Sequence, residues 1–258
     1  MSDKTAALRV EGLTVHYGDF PALWDISLTV PRGHLVGIIG PNGAGKTTFI
    51  RAVLNLIDRS SGRVVMHGRP LEEQRRAIAY VPQKEKIDWS FPMRLRDLVQ
   101  MGCYPKRGLF RRLTGQDHEA VDRAIELLHL QAHAFEQIGK LSGGQQQRAF
   151  LARAIVQNAD LYFLDEPFTG VDHVSEHILM DLLRSMRAEG KTVFIVHHDL
   201  LNAQNYFDWA ILLNTHLVSY GKVQEVLSPA CLRHAYGDKL TLIEDVLQLS
   251  QIYSRGDS

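Results

Sequence analysis

The chain has 258 residues, is 45% hydrophobic and 22% charged, and sets 29 Lys plus Arg against 29 Asp plus Glu. This is the composition of an ordinary globular protein, and its zero formal charge gives no electrostatic case for nucleic acid as a partner. No apolar run reaches the roughly 18 residues that cross a bilayer, and the polar start Met1-Ser2-Asp3-Lys4-Thr5 lacks a secretory apolar core, so a cytoplasmic location is expected.

Leu8 to Tyr17 alternates apolar and polar residues around a glycine and predicts a strand. Tyr17, just before Gly18, can stack its ring on a nucleobase; taken alone, it can equally pack on the core at a strand end. Asp25 to Val30 alternates too, and Pro31-Arg32-Gly33 ends it as a turn. Together these segments predict an antiparallel β layer packed on a nucleotide-binding core.

Leu35 to Ile39 is a short apolar run, as a buried parallel strand should be. After it comes Gly40-Pro41-Asn42-Gly43-Ala44-Gly45-Lys46-Thr47-Thr48, which satisfies G-x-x-x-x-G-K-[ST] at every fixed position. Thr47 to Ile57 then predicts a helix, with Phe49, Ile50, Val53, Leu54 and Ile57 on one face. A strand enters the loop and a helix leaves it. The loop's N–H groups and the positive helix end therefore converge where a polyphosphate can sit. Gly43 and Gly45 allow backbone angles that a side chain would forbid. Lys46 supplies a point charge for the outer phosphates, and Thr47 offers a hydroxyl to Mg²⁺.

Arg63 to Gly68 and Ile78 to Val81 predict two further strands. Gln83, after the second, stands where an amide can touch Mg²⁺ or an attacking water; in isolation it reads as a polar loop residue. From about Met93 to Gln157 the periodicity is helical and predicts an insertion rather than a free-standing domain. Within it, Thr114 and Asp117 form a cap signal before the stripe Val121, Ala124, Ile125 and Leu128. Arg107, Arg111 and Arg112 read as a solvated basic surface. Leu141-Ser142-Gly143-Gly144-Gln145 opens a helix through Ala149, Leu151, Ala152 and Ile155. It is a second anion-ready helix start, or an ordinary serine cap.

Leu161 to Leu164 predicts a buried strand, and Asp165 and Glu166 stand at its carboxyl end, where open α/β sheets bind ligands. Asp165 suits Mg²⁺, and Glu166 can polarise a water for attack on a γ-phosphate. The alternative, a pair of acids capping a helix, is disfavoured by the phosphate loop upstream. His173-Val174-Ser175-Glu176-His177 matches H-x-x-E-H, a pattern of zinc peptidases, but no clear third ligand follows. Thr192 to Val196 predicts another buried strand ending at His197-His198-Asp199, where a histidine can hydrogen-bond a γ-phosphate. Ile211 to Leu213 and Leu217 to Tyr220 predict a closing hairpin. Residues 222–258 predict short helical segments with no function read from them. Cys103 and Cys231, far apart in sequence, read as free thiols.

In this order the motifs resemble the ATP-binding subunit of ATP-binding-cassette (ABC) transporters, from about Leu8 to Tyr220. Gly40 to Thr48 looks like the Walker A loop, and Gln83 like the Q-loop glutamine. Leu141 to Gln145 looks like the signature peptide, and Leu161 to Glu166 like Walker B with the catalytic glutamate. Gly170-Val171-Asp172 fits the D-loop, His198 the switch histidine and Tyr17 the adenine-stacking aromatic. The resemblance implies an α/β fold: a P-loop NTPase core with an antiparallel β subdomain and a helical insertion at about 93–157, in one domain over 1–258. It implies ATP and Mg²⁺ as cofactors, with Mg²⁺ near Thr47, Gln83 and Asp165. It also implies a head-to-tail pair of copies in which Ser142, Gly143, Gly144, Gln145 and Asp172 of one complete the nucleotide site of the other. The further partners implied are an integral-membrane permease at the inner face of the membrane and, indirectly, an extracytoplasmic solute-binding protein.

Asp88-Trp89-Ser90-Phe91-Pro92, Arg96 to Val99, Met101-Gly102 and Val196 to Leu200 are similar to the subfamily serving manganese, zinc and chelated-iron importers. Most family members have a small hydroxyl residue where this chain has His197, so the resemblance gives that residue no role. A motor for ferric siderophore, haem or another solute, and a soluble non-transport ATPase, are the alternatives.

Overall fold

The computed structural model describes residues 6–83, 89–108 and 111–237. Asp88, part of the subfamily resemblance, and most of the tail lie outside them. The chain opens with the hairpin β1 (Ala6–Tyr17) and β2 (Phe20–Pro31), then β3 (Leu35–Ile39) and helix α1 (Lys46–Val53). Strands β4 (Ser61–Met66) and β5 (Arg69–Pro70), helix α2 (Leu71–Gln74) and β6 (Ile78–Val81) follow. The helical insertion holds α3 (Leu95–Gln100), α4 (Tyr104–Arg107), α5 (Gly115–Leu127) and α6 (Gly143–Gln157). Then come β7 (Leu161–Asp165), α7 (His173–Ala188), β8 (Thr192–Val196), α8 (Leu200–Tyr206), the hairpin β9 (Trp209–Asn214) and β10 (His216–Lys222), and helices α9 (Val223–Val226) and α10 (Pro229–Tyr236).

The strands form two sheets. One has four antiparallel strands in the order β2-β1-β4-β5, and the other has six in the order β10-β9-β3-β8-β7-β6. In the second, β9, β3, β8, β7 and β6 run parallel, and only β10 is antiparallel. Its central strands β3, β7 and β8 are buried at every residue, as layers covered on both faces require. One face packs on the insertion and on α7, the other on α1 and the antiparallel sheet. Phe163 and Phe194 stack at 4.7 Å on the second face and tie β7 to β8 there.

Strand β1 shows how sequence sets register. Leu8 and Val10 face the core, then Leu13 and Val15 do, so the alternation slips by one residue. Gly12, at φ +60°, takes up the extra residue in a bulge between Val10 and Leu13.

The helix after the phosphate loop is shorter than its apolar spacing predicts. It stops at Val53 because Asn55 turns left-handed at φ 55°. The Asn55 N–H bonds Ala52 O at 3.1 Å and the Leu56 N–H bonds Arg51 O at 2.8 Å, a Schellman closure that leaves Ile57 outside.

In the insertion, Thr114 and Asp117 do form the cap of α5, and Val121, Ala124, Ile125 and Leu128 are buried. The Arg107 Nε donates to Asp117 at 3.0 Å, so this arginine braces the cap, while Arg111 and Arg112 are exposed. The Thr114 N–H and the Arg107 guanidinium hold the Asp117 carboxyl below its usual range.

Candidate nucleotide site

The parallel strands β3, β7 and β8 end side by side, and each delivers functional residues at its carboxyl end. Around those ends lies a cavity of about 730 Å³. It is lined by Tyr17, Asn42 to Thr48, Gln83, Glu166, Thr169 and His198.

The phosphate loop is a tight cradle. Gly43 and Gly45 have φ of 84° and 90°, angles that favour glycine. A Cβ on Gly45 would come within 2.6 Å of the Ala22 carbonyl, so the loop lies against β2 at that point. Lys46 opens α1 and is 7% exposed. Its Nζ donates to the Gly40 and Pro41 carbonyls at 2.8 and 3.0 Å. Burial lowers the pKa of this ammonium, and the Glu166 and Asp165 carboxylates oppose that shift and favour its charge.

Asp165 is fully buried at the end of β7, and its Oδ1 accepts from Thr47 Oγ1 at 3.0 Å. Glu166, the next residue, has a left-handed φ of 54°, uncommon for a residue with a side chain. That backbone turn lets neighbouring residues of one strand end serve different places, Asp165 beside Thr47 and Glu166 in the cavity wall. The Glu166 Oε2 accepts from Gln83 Nε2 at 3.2 Å and from Thr169 Oγ1 at 3.3 Å. Thr169 is a site residue that the sequence reading missed; its spacing of three after Glu166 was the available signal. His198 lines the cavity and is exposed, whereas His197 beside it is 3% exposed. Tyr17 is 53% exposed at the cavity edge, presenting a free ring where the core-packing alternative needed a covered one.

Not all of the expected residues gather there. Ser142, Gly143, Gly144 and Gln145 start α6 but none of them lines this cavity. They form a reciprocal cap: the Ser142 N–H donates to Gln145 Oε1 at 2.7 Å, and the Gln145 N–H to Ser142 Oγ at 3.3 Å. Asp172 is also outside the cavity lining and caps α7, its carboxylate accepting from the Ser175 N–H at 2.9 Å and the Ser175 hydroxyl at 2.8 Å. Those bonds hold its pKa down. Arg148 of α6 donates to the same hydroxyl at 2.5 Å, which ties α6 to the Asp172 turn. In the H-x-x-E-H stretch, the His173 side chain lies outside the described set and His177 is exposed. Among the described residues no cluster of three or more His, Cys, Asp and Glu side chains is arranged to hold a metal ion.

Residues 23–169 match the family described as "ABC transporter". The chain is 46% identical over 238 residues to the manganese transport system ATP-binding protein MntB of Bacillus subtilis, covering 92% of this chain and 95% of that one. It is 43% identical over 235 residues to the zinc transport system ATP-binding protein TroB of Treponema pallidum, covering 91% and 88%. Among solved structures it is similar to an ATP-binding cassette of an ABC transporter in its ADP conformation, at TM-score 0.73 and 26% identity, covering 90% of this chain and 99% of that one. The phosphate loop and Glu166 thus border one cavity in a fold shared with ATP-binding cassettes, and the chain belongs to the ABC transporter family.

Proposed function

We propose that the chain is the ATP-hydrolysing motor of an importer for a metal ion, manganese, zinc or iron, working on a separate membrane permease. The observation that carries it is the meeting of the phosphate loop, Glu166 and His198 around one cavity. The cargo rests on the relatives named for manganese and zinc transport. The Trp89-Ser90-Phe91-Pro92 and His197-His198 stretches support it.

In this reading Tyr17 stacks on the adenine, and the N–H groups of Asn42 to Thr48 hold the phosphates. Lys46 leaves the loop carbonyls for the β- and γ-phosphate oxygens and offsets the charge that builds up on them. Glu166, held by Gln83 and Thr169, orients a water in line with the γ-phosphorus and takes its proton. The new bond forms to that oxygen while the bond to the bridging oxygen breaks, and ADP leaves. His198 donates a hydrogen bond to a γ-phosphate oxygen. The Thr47 hydroxyl, the Asp165 carboxylate and the Gln83 amide offer only hard oxygen donors, a set that fits Mg²⁺. When bound there, Mg²⁺ would supply positive charge to offset that of the phosphates.

The cap at Ser142 to Gln145 takes no part in lining its own chain's cavity, which supports a second copy using it head to tail. The Ser142 hydroxyl and the N–H groups of Gly143 and Gly144 then meet the γ-phosphate of the partner copy, with Asp172 at the same seam. No helix among the described residues is long and apolar enough to cross a membrane. In this reading the chain works from the inner face of the membrane, bound to the permease, while a solute-binding protein outside delivers the ion.

Uptake of labelled manganese, zinc and iron tests the cargo, in cells carrying the natural chain or Glu166→Gln. Loss of uptake for one ion is the expected result and assigns it. Unchanged uptake of all three overturns metal import and leaves the ATPase.

A further inference from the structure

The last described helix makes contacts that the nucleotide site alone does not explain. The turn between β9 and β10 is the corner Asn214-Thr215, with Thr215 left-handed at φ 60°. This corner touches the phosphate loop from outside. The Thr215 N–H donates to the Ala44 carbonyl at 3.0 Å. A Cβ on Gly40 would come within 2.1 Å of the Leu213 carbonyl, so the start of the loop lies directly on the end of β9. The Thr215 carbonyl in turn accepts from the Trp24 N–H at 2.8 Å, which ties the corner to β2.

Helix α10 holds this corner in place. The Asn214 Nδ2 donates to the Ala235 carbonyl at 3.1 Å, on the last turn of α10. His216 and His234 meet at 5.7 Å, and Leu232 and Ala235 are buried beneath the helix. The next residue, Tyr236, is half-buried and sets its phenol beside the backbone of Gly40. The carbonyl of Gly40 accepts from Lys46 Nζ at 2.8 Å, so Tyr236 and the phosphate-binding lysine meet at the same residue of the loop.

We propose that Asn214 and Tyr236 are positioning residues of the nucleotide site, through which helix α10 braces the phosphate loop and sets how tightly ATP is held. The physical ground is preorganisation. A loop that must aim a row of N–H groups at a polyphosphate binds more tightly when its order is already established before the ligand arrives. Neither residue lines the cavity, so each acts through the loop and not by touching the nucleotide. The inference rests on the nucleotide reading of the loop and is independent of the cargo.

The test uses the full chain with Tyr236→Phe, which keeps the ring and removes the oxygen, and with Asn214→Ala. Thr114→Ala, which removes the cap of α5 in the insertion and leaves the corner and α10 intact, and Lys46→Ala serve as controls. ATP affinity is read with a fluorescent ATP analogue, alongside the melting temperature with and without ATP. Each positioning variant is expected to weaken ATP binding roughly threefold to tenfold, the worth of one hydrogen bond. The ATP-induced rise in melting temperature shrinks with it, and KM rises while kcat holds. Thr114→Ala lowers the melting temperature without that loss of affinity. Natural affinity in both Tyr236→Phe and Asn214→Ala overturns the brace, and so does an equal loss in Thr114→Ala. Natural affinity in Lys46→Ala as well would instead overturn the assignment of the loop.

Discussion

At the scale of single residues, the site separates binding from chemistry by one peptide bond. Asp165 stays buried against Thr47, while the left-handed turn at Glu166 brings its carboxylate to the cavity wall. Lys46→Ala should therefore raise the dissociation constant for ATP, measured by equilibrium binding, by a factor on the order of one hundred, since a buried cation that meets phosphate is lost. Unaltered affinity would remove Lys46 from the phosphate site. His197 supplies a second prediction. Its ring is enclosed by Phe168 and Phe207, each at 5.4 Å, with Tyr206 at 5.8 Å and His198 at 6.0 Å. Burial lowers its pKa to about 4, against partial opposition from Asp199 and Glu176 and with help from His198. The folded value lies below the unfolded one of 6.5, so the unfolded chain binds more protons between them. Stability is full above pH 6.5 and falls as pH drops toward 4, by about 2 kcal/mol between pH 7 and 5. Denaturant midpoints at the two pH values measure this, and His197→Phe should flatten the difference. A difference that survives His197→Phe would place its source elsewhere.

At the scale of elements, much of the architecture could be read from periodicity and punctuation. β3, β7 and β8 are short apolar runs with functional residues at one end, a pattern that only a covered parallel sheet explains. The Thr114 cap and its stripe were legible for the same reason, because all their contacts are local. Thr114→Ala should cost about 1 kcal/mol of stability in a denaturation curve and leave ATP affinity unchanged. A change in affinity would mean that the cap of α5 reaches the site. The end of α1 was not legible, because apolar spacing continued past the residue whose backbone reversed. Asn55 carried the signal as a left-handed cap. Asp172 was legible as part of a motif, but its local work as a cap for α7 followed equally from an acid three residues before Ser175. The brace formed by Asn214 and Tyr236 could not be read at all. It joins the last described helix to a loop near the start of the chain, and no local pattern encodes that pairing.

At the scale of the whole molecule, the six-stranded sheet divides the chain into a face that carries the phosphate-loop helix and a face that carries the insertion. The two anion-ready helix starts, at Lys46 and at Gly143, are on different faces of that division. In the proposed head-to-tail pair, the helix start at Gly143 of one copy closes the cavity at Lys46 of the other, so each chain supplies part of two sites. ATP should accordingly convert Glu166→Gln into a dimer, seen as a doubled mass in size-exclusion chromatography with light scattering. A mass that stays monomeric with saturating ATP would contradict the head-to-tail reading.

The measurement that bears most directly on the central claim compares ATP binding and phosphate release in Glu166→Gln against the natural chain. The account predicts ATP affinity within about twofold of natural and phosphate release reduced on the order of 100-fold or more, as loss of a general base requires. Equal phosphate release in the two would contradict it, because the cavity would then hold its nucleotide without Glu166 taking part in the chemistry.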